Sequence, residues 1–436
     1  MKAVKIGILG LGTVGGGVVN VLNRNAGEIF RRTGREIIVT HASARDLNRE
    51  RICDTGDIKL TTNSFEIIHD PEIEIILELI GGVTLAKDLV LQAIENGKHV
   101  VTANKALIAL HGNEIFAKAS EKGVMVLFES AVAGGIPIIK ALREGLSANQ
   151  IQWLAGIING TGNFILTEMR DHGRDFADVL VEAQALGYAE ADPTFDVEGI
   201  DAGHKLAILA SLAFGIPLQF DKVYTEGITK ITREDVEYAE QLGYRIKHLA
   251  IARKTEQGIE LRVHPTLIPE RRLIANVDGV MNAVLVQGDA VGPTLYYGAG
   301  AGSEPTASAV VADIVDVIRV LNSDPEHRVP HFAFQTDQII DIPVLSSEQI
   351  HTAYYLRLNA EDKPGVLAEV TKILADHQIS IEALIQKEPL EGEVTLPVIM
   401  LTQTTLEKEM NAAITEIETL STITGSVCRI RLETLG

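Results

Sequence analysis

The run VKIGILGLGTVGGGVVNVL at residues 4–22 leaves a chain few ways to fold. Residues 4–9 form a short apolar stretch suited to a buried strand, Gly10, Gly12 and Gly15 spell GxGxxG, and the valine-rich continuation opens a helix. Glycines there permit a tight turn and close backbone approach, and a helix N-terminus offers N–H groups to a pyrophosphate. The motif implies a dinucleotide site built on Gly10, Gly12, Thr13, Val14 and Gly15; a plain glycine-rich turn is the alternative. Alternation follows. EIEIILELI (72–80) reads as a strand, LAKDLVLQAIENG as a helix, KHVVTANKALIA (98–109) as a strand with Lys105 just past its end, HGNEIFAKASEKG as a helix and VMVLFESAVAGGIP as a strand. Strands separated by helices of this length form a parallel, doubly wound sheet, with ligands at the strands' carboxyl ends. That rule places Thr102, Asn104 and Lys105 at the mouth of a cofactor and substrate site.

The strand EIIVTHASARD (36–46) ends where the adenosine ribose of such a cofactor lies. No acid stands at its end to hold the 2′-hydroxyl of NAD. Arg45, with Lys59 further on, offers positive charge to the 2′-phosphate of NADP, while Asp46 argues the other way. NADP is preferred and NAD is the alternative; for both cations the plainer reading is a solvated surface charge. The formal charge of −20 repels nucleic acid and anionic membranes, so neither is an expected partner. Cys53 and Cys428 belong to no CxxC or zinc spacing, and the 12 histidines form no HExxH, which fits a reducing cytoplasm and no transition-metal chemistry. A chain of 436 residues holds two to four domains.

EADPTFDVEGIDAGHK (190–205) gathers Glu190, Asp192, Asp196, Glu198 and Asp201 ahead of Lys205. It is either a solvated acidic loop or a site that grips an amino group and moves a proton. With a helix starting near Ile200, Asp201 and Lys205 share one face, and an ordinary surface ion pair is the alternative. In NGTGNFIL (159–166), Gly160, Thr161 and Gly162 offer N–H and hydroxyl donors to a carboxylate; a turn capped by Thr161 or Asn163 is equally compatible. Residues 321–350 carry Pro325, Pro330 and Pro343 and read as a linker or strap. Beyond it the order is βαββαβ, with strands expected at 379–388 and 394–403, which is ferredoxin-like.

VVTANKALIA, ESAVAGGIP, NGTGNFIL, LGYAEADPTFDVEGIDAGHK and GAGAGSEPTASAVVADI, in that order within residues 4–316, resemble the successive motifs of homoserine dehydrogenase. LNAEDKPGVLAEVTKILADHQISI resembles an ACT domain, a module that binds amino acids and works as a pair. The resemblance implies an α/β chain in three parts. These are a Rossmann-type NAD(P)-binding domain over residues 1–130, rejoined by about 300–345, an α+β substrate and dimerisation domain over 131–300, and a ferredoxin-like ACT domain over 350–436. The implied reaction interconverts aspartate 4-semialdehyde and homoserine, a step towards threonine, methionine and isoleucine. Lys205 matches the family's proton donor and Lys105 its second active-site lysine. Glu190 matches the residue that binds the substrate amino group, Asp201 and Asp196 line the same site, and Gly160, Thr161 and Tyr188 complete the substrate contacts. Gly302 approaches the nicotinamide side of the cofactor. Glu129, Val132, Gly134 and Ile136 match a loop that supplies oxygens to a monovalent cation, sodium or potassium. A homodimer or homotetramer, with an amino-acid effector such as threonine at Asn359 to Gly365, completes the expectation. Two competing readings are another amino-acid semialdehyde dehydrogenase, which needs no pair of lysines at 105 and 205, and a non-catalytic amino-acid sensor, which can lose Lys205. In the oxidising direction Lys205 must first lose its proton, so homoserine oxidation is expected to be favoured at alkaline pH.

Overall fold

The apolar run that opens the chain becomes strand β1 (Val4–Leu9), at the centre of a parallel sheet. Its companions are β2 (Ile37–Ser43), β3 (Lys59–Thr61), β4 (Ile75–Glu78), β5 (His99–Thr102) and β6 (Val126–Leu127), in the order β3-β2-β1-β4-β5-β6. All pairings are parallel, and the order reverses between β1 and β4, which marks the end of the sheet where a ligand sits. The computed structural model describes residues 2–386 and 395–436; Lys387, Glu388 and Val394, expected in strands, lie outside them.

Two compact units make up the chain. One comprises Met1–Gly160, His204–Val223 and Val280–Ile342; the other comprises Thr161–Gly203, Tyr224–Gly279 and Pro343–Gly436. The stretch 131–300 thus contributes to both units, and the ACT segment shares a unit with parts of that stretch. In the first unit the helix Ser303–Arg319 returns to the nucleotide sheet, burying Val310, Ile314 and Val317 beside Ile6 and Ile8 of β1 and Val18 of the helix Thr13–Arg24. Each such side chain contributes roughly 1.5–3 kcal/mol when fully buried. The two helices cross closely: a Cβ at Gly17 would stand 2.5 Å from Ser303 Oγ. Strands Ile151–Ile157, Met281–Gly288 and Gly292–Ala299 form an antiparallel three-stranded piece of the same unit.

In the second unit, Tyr244–Lys254 and Ile259–Pro269 pair antiparallel. The sheet then continues without a break into the C-terminal segment, where Thr266 and Leu267 pair parallel with Arg431 and Leu432 of the strand Ile423–Leu432. Beyond it lie His351–Glu361, Thr395–Thr402 and Ile381–Gln386, all antiparallel, with helices Val366–Asp376 and Glu407–Ile417 completing βαββαβ.

Some boundaries differ from those read off the sequence. The strand expected to end just before Lys105 ends at Thr102, and a helix, Lys105–Lys122, begins six residues before the expected HGNEIF start. Asn104 sets this start, its Oδ1 accepting from Leu107 N at 3.1 Å, so Lys105 is the first helical residue. The proline-rich segment is a strap. Phe332 packs edge-on against Phe116 at 4.5 Å, and Arg328 donates to Gly123 O at 2.8 Å.

Two histidines, buried His99 and half-buried His331, secure the sheet edge as neutral acceptors: His99 Nδ1 takes Met125 N at 3.0 Å, and His331 Nε2 takes Val126 N at 3.2 Å. Burial lowers both from 6.5 to about 4, with help from the positive charge of Arg328. Between pH 6.5 and about 4 the unfolded chain therefore binds more protons than the folded one, and stability falls as pH falls through that window. Each histidine is worth up to about 3 kcal/mol of that loss. Melting temperatures across this window should drop with acidification, and His331→Gln should flatten the slope; an unchanged slope in the variant contradicts this account.

Candidate active site

Gly10 has φ +99°, and a Cβ there would lie 2.6 Å from Leu79 O. A Cβ at Gly15 would lie 2.4 Å from Gly10 O, so both positions demand glycine for folding alone. Gly12 differs: nothing stands within 4 Å of its Cβ position, and it is exposed. No side chain caps the helix Thr13–Arg24 and no acid stands in its first turn, so the N–H groups around Gly12, Thr13 and Val14 face an open, electropositive helix end. The loop is fixed from behind, Gly10 N and Leu11 N both donating to Ser43 O at the end of β2. Arg45 is exposed just beyond that strand. Lys59 pairs with His41, two positions short of the Ser43 end, which removes it from the carboxyl edge where a ribose phosphate sits. Sequence reasoning missed Arg51, which donates to Leu11 O at 2.7 Å and to Asp46 O, clasping the segment after β2 onto the glycine loop. Gly302 (φ +120°) starts the returning helix, and Ser303 Oγ donates to Thr13 O at 2.8 Å, joining the second glycine-rich turn to the first.

At the ends of β4 and β5 a second missed residue organises the mouth. Glu78 is fully buried, and burial pushes its carboxyl above the usual range. Thr102 Oγ1 donates to it at 2.7 Å, Ile80 N at 3.1 Å, and Asn104 Nδ2 donates to Gly82 O at 2.7 Å. The Thr102 hydroxyl is therefore spent within the protein. Lys105 follows directly, in the first turn of its helix.

The acidic stretch is graded by burial. Glu190 and Asp192 are exposed, Asp196 and Glu198 half-buried, and Asp201 only 3% exposed. Asp201 and Lys205 fall one turn apart on the helix Ile200–Phe214, which is buried from Asp201 through Phe214. Lys205, 9% exposed, donates to Ile158 O at 2.7 Å, at the end of the strand that leads into NGTGN. His204 packs against the Phe220 ring, with centroids 4.1 Å apart. Thr161 does not cap its helix: its Oγ1 donates to Tyr188 O at 2.6 Å. Nor does Asn163, whose Nδ2 donates to Val277 O and Gly279 O, both at 2.9 Å, from inside the helix Gly160–His172. Gly160 is required by packing, since a Cβ would meet Val280 O at 2.8 Å. Tyr188 is 43% exposed, its ring edge-on to Phe164. Lys247, also missed, is 1% exposed and braces this turn by donating to Val277 O at 2.7 Å; burial lowers it to about 8.

The loop after β6 carries the residues of the expected cation site. The Glu129 carboxylate accepts from Ile139 N at 2.9 Å and Lys140 N at 2.8 Å, so it caps the following turn with both oxygens. Ala133 (φ +54°) and Gly134 (φ +44°) are left-handed, and within the loop Ala133 O accepts from Ile136 N at 2.9 Å and Ile136 O from Ile138 N at 2.8 Å. Close by, a Cβ at Gly134 would stand 2.5 Å from Gly300 O, and one at Gly300 would clash with Asn282, whose buried Oδ1 has no hydrogen-bond partner. Among the described residues no group of three or more His, Cys, Asp or Glu side chains is placed to hold a metal. In the C-terminal segment, Gly365 (φ +97°) starts the helix Val366–Asp376, and a cavity of about 320 Å3 lies over this turn between Asp362, Lys363, Gln386 and Val398.

Comparisons with known proteins follow the same layout. Residues 10–129 match the homoserine dehydrogenase NAD binding domain, 137–315 match homoserine dehydrogenase, and 354–418 match the ACT domain. The homoserine dehydrogenase of Pseudomonas aeruginosa is 67% identical over 436 residues, covering 100% of both chains, and that of Neisseria gonorrhoeae is 57% identical with the same coverage. A solved homoserine dehydrogenase from Thiobacillus denitrificans superposes with a TM-score of 0.96 at 68% identity, covering 100% of this chain and 99% of that one. A hyperthermophilic archaeal homoserine dehydrogenase in complex with NADPH gives a TM-score of 0.61 at 27% identity, over 72% of this chain and 97% of that one. From its nucleotide-binding loop to its ACT segment, the chain belongs to the homoserine dehydrogenase family of NAD(P)-linked oxidoreductases.

Proposed function

We propose that this chain interconverts L-aspartate 4-semialdehyde and L-homoserine with Lys205 as the proton carrier, and the observation that carries this is the placement of Lys205. A lysine on a helix buried from Asp201 through Phe214, held at the Ile158 carbonyl and one turn from Asp201, is costly to keep unless its proton is used. Nicotinamide, when bound, supplies or accepts the hydride at the carbon that bears the oxygen. In the reducing direction the carbonyl π bond breaks as that carbon receives the hydride, and the Lys205 ammonium gives its proton to the oxygen. In the oxidising direction neutral Lys205 takes the hydroxyl proton back. Lys105, at the first turn of its helix, adds a second positive charge for the oxygen. Glu190 meets the substrate ammonium with Asp196 and Asp201 behind it, and the N–H groups of the Gly160–Gly162 turn meet the α-carboxylate. The Thr161 hydroxyl, donating to the Tyr188 carbonyl at 2.6 Å, supports this reading by fixing the turn beside the acidic stretch.

For the cofactor, Gly10, Gly12, Thr13, Val14, Gly15, Thr102 and Gly302 form the backbone cradle. Arg45 favours NADP over NAD, supported by the absence of an acid at the end of β2 and by the NADPH in the archaeal relative. Lys59 is dropped from that role for its position in the register. The domain reading, residues 1–130 with 300–345 for the nucleotide, 131–300 for substrate and dimerisation and 350–436 for regulation, is retained as a functional division. The carbonyls of Glu129, Val132, Gly134 and Ile136 hold sodium or potassium. The enzyme works in the cytoplasm as a homodimer or homotetramer, towards threonine, methionine and isoleucine. Threonine or a related amino acid binds at the Gly365 turn. Among the described residues, no helix is long and apolar enough to cross a membrane.

The deciding assay is nicotinamide reduction by L-homoserine, with NADP and with NAD. Lys205→Met should cut kcat by about 10²–10⁴-fold; surviving turnover moves the proton role to Lys105, and no turnover in the wild type with either cofactor favours the sensor reading. Gly12→Ala separates folding from binding. With open space around the Cβ position it should change stability by less than about 1 kcal/mol, yet weaken cofactor binding by about tenfold or more. Unchanged cofactor affinity, measured by fluorescence titration, removes the loop from pyrophosphate recognition.

A further inference from the structure

The second unit holds a buried ion cluster that neither the sequence motifs nor the reaction calls for. Arg431, fully buried on the last ACT strand, donates from Nε and Nη2 to Glu407 at 2.8 and 2.5 Å, and from Nη1 to Glu226 at 2.7 Å. Tyr224 closes the set: its hydroxyl donates to Glu226 at 2.7 Å and accepts from Arg431 at 3.1 Å, and the guanidinium lies 5.0 Å from its ring centre. Glu407 begins the second ACT helix, whereas Tyr224 and Glu226 belong to the short segment that follows the catalytic helix in sequence.

That segment also carries the acidic stretch. Three residues beyond Glu226, Thr229 Oγ1 donates to Glu198 Oε1 at 2.9 Å, and Ile228 N donates to Val197 O at 2.9 Å. Gly227 lies so close that a Cβ would stand 2.3 Å from Glu198 Oε2 and 2.7 Å from Val197 O. His248 Nε2 bonds the Glu226 carbonyl at 2.9 Å, and its ring lies 3.2 Å from the Cβ position of Gly199. Residues 197–199, between Asp196 and Asp201, therefore rest on 226–229, and Glu226 is fixed by a guanidinium of the ACT segment. Arg431 is fully buried and Glu226 half-buried, and a charge-assisted pair anchored on a buried guanidinium holds its partners in one arrangement, because leaving that guanidinium unpaired is costly.

We infer that Glu226 and Arg431 are positioning residues for the substrate-ammonium site: the ACT segment sets the acidic stretch 190–201 through Glu407–Arg431–Glu226 and the 227–229 rest beneath Glu198. The inference depends on the reading of Glu190 and its neighbours as the amino-group site. It makes the ACT segment part of the substrate site's support, so that any shift of Glu407 or Arg431 is felt as a change in homoserine affinity.

Steady-state kinetics on the full-length enzyme separate the possibilities. Glu226→Gln keeps the shape and one hydrogen bond, and Arg431→Lys keeps the charge; both should raise KM for L-homoserine by about tenfold, with kcat and the cofactor KM changed by less than about twofold. Arg357→Lys is the comparison. Arg357 ties another ACT strand to the helix Arg233–Gln241 through Asp235 at 2.6 Å and does not touch the 226–229 segment, so its homoserine KM should stay near wild type. An equal rise in Arg357→Lys reduces the effect to general loosening and overturns the inference, as does an unchanged KM in Glu226→Gln. Glu190→Gln reports on the reading beneath it: a raised KM there with none in Glu226→Gln fails the inference alone, and no rise in Glu190→Gln fails both.

Discussion

A lysine on a helix buried nearly throughout has to be answered by the backbone around it, and much of this structure is that answer. The helix Ile200–Phe214 is mostly apolar and is buried from Asp201 through Phe214, which places it inside the protein. Lys205 is carried in with it and meets the Ile158 carbonyl at the end of a strand. That strand ends where it does because Gly160 admits the close approach of Val280 and lets the next helix begin. Thr161 and Asn163 then spend their side chains on Tyr188, Val277 and Gly279, so that the turn is rigid before any substrate arrives. Chemistry is assigned to one amine, and several neighbours serve to keep that amine in place.

The nucleotide end follows a second economy of space. Gly10, Gly15 and Gly17 are glycine because backbone or side chains of the same protein occupy their Cβ positions, whereas Gly12 is glycine with nothing in the way. Folding explains the former three, whereas no packing neighbour asks for the fourth. The returning helix, fastened through Ser303 to Thr13, brings a second glycine-rich turn against the first. The order of the parallel sheet then fixes which strand ends, β1, β4 and β5, supply the mouth.

Much of this was legible in the sequence because periodicity and glycine spacing are local. The strand–turn–helix at the start, the alternation that yields the parallel sheet, the helix beginning at Ile200 and the βαββαβ ending all follow from patterns within about 20 residues. The helix was expected from His111 and starts at Lys105 because Asn104, the cap that decides it, is a single residue. Long-range pairing was not legible. Arg51, Arg262 and Arg431 look like ordinary charges on a strand face or in a loop until the fold delivers Leu11, Glu433, Glu226 and Glu407 to them. That the Glu129 carboxylate accepts from Ile139 N and Lys140 N was not legible either, since both partners lie 10 residues or more further on. The continuity of the ACT sheet with Ile259–Pro269 was equally invisible, because register between strands over 150 residues apart leaves no local trace.

The account stands or falls on whether the buried amine of Lys205 carries the proton. The most direct measurement is the pH dependence of kcat/KM for homoserine oxidation in the wild-type enzyme, followed by nicotinamide absorbance at saturating cofactor. If Lys205 must be neutral to take the hydroxyl proton, the rate rises with a slope of about one in log units as a single group deprotonates, then levels at alkaline pH. A rate that stays flat from neutral to strongly alkaline pH contradicts the assignment.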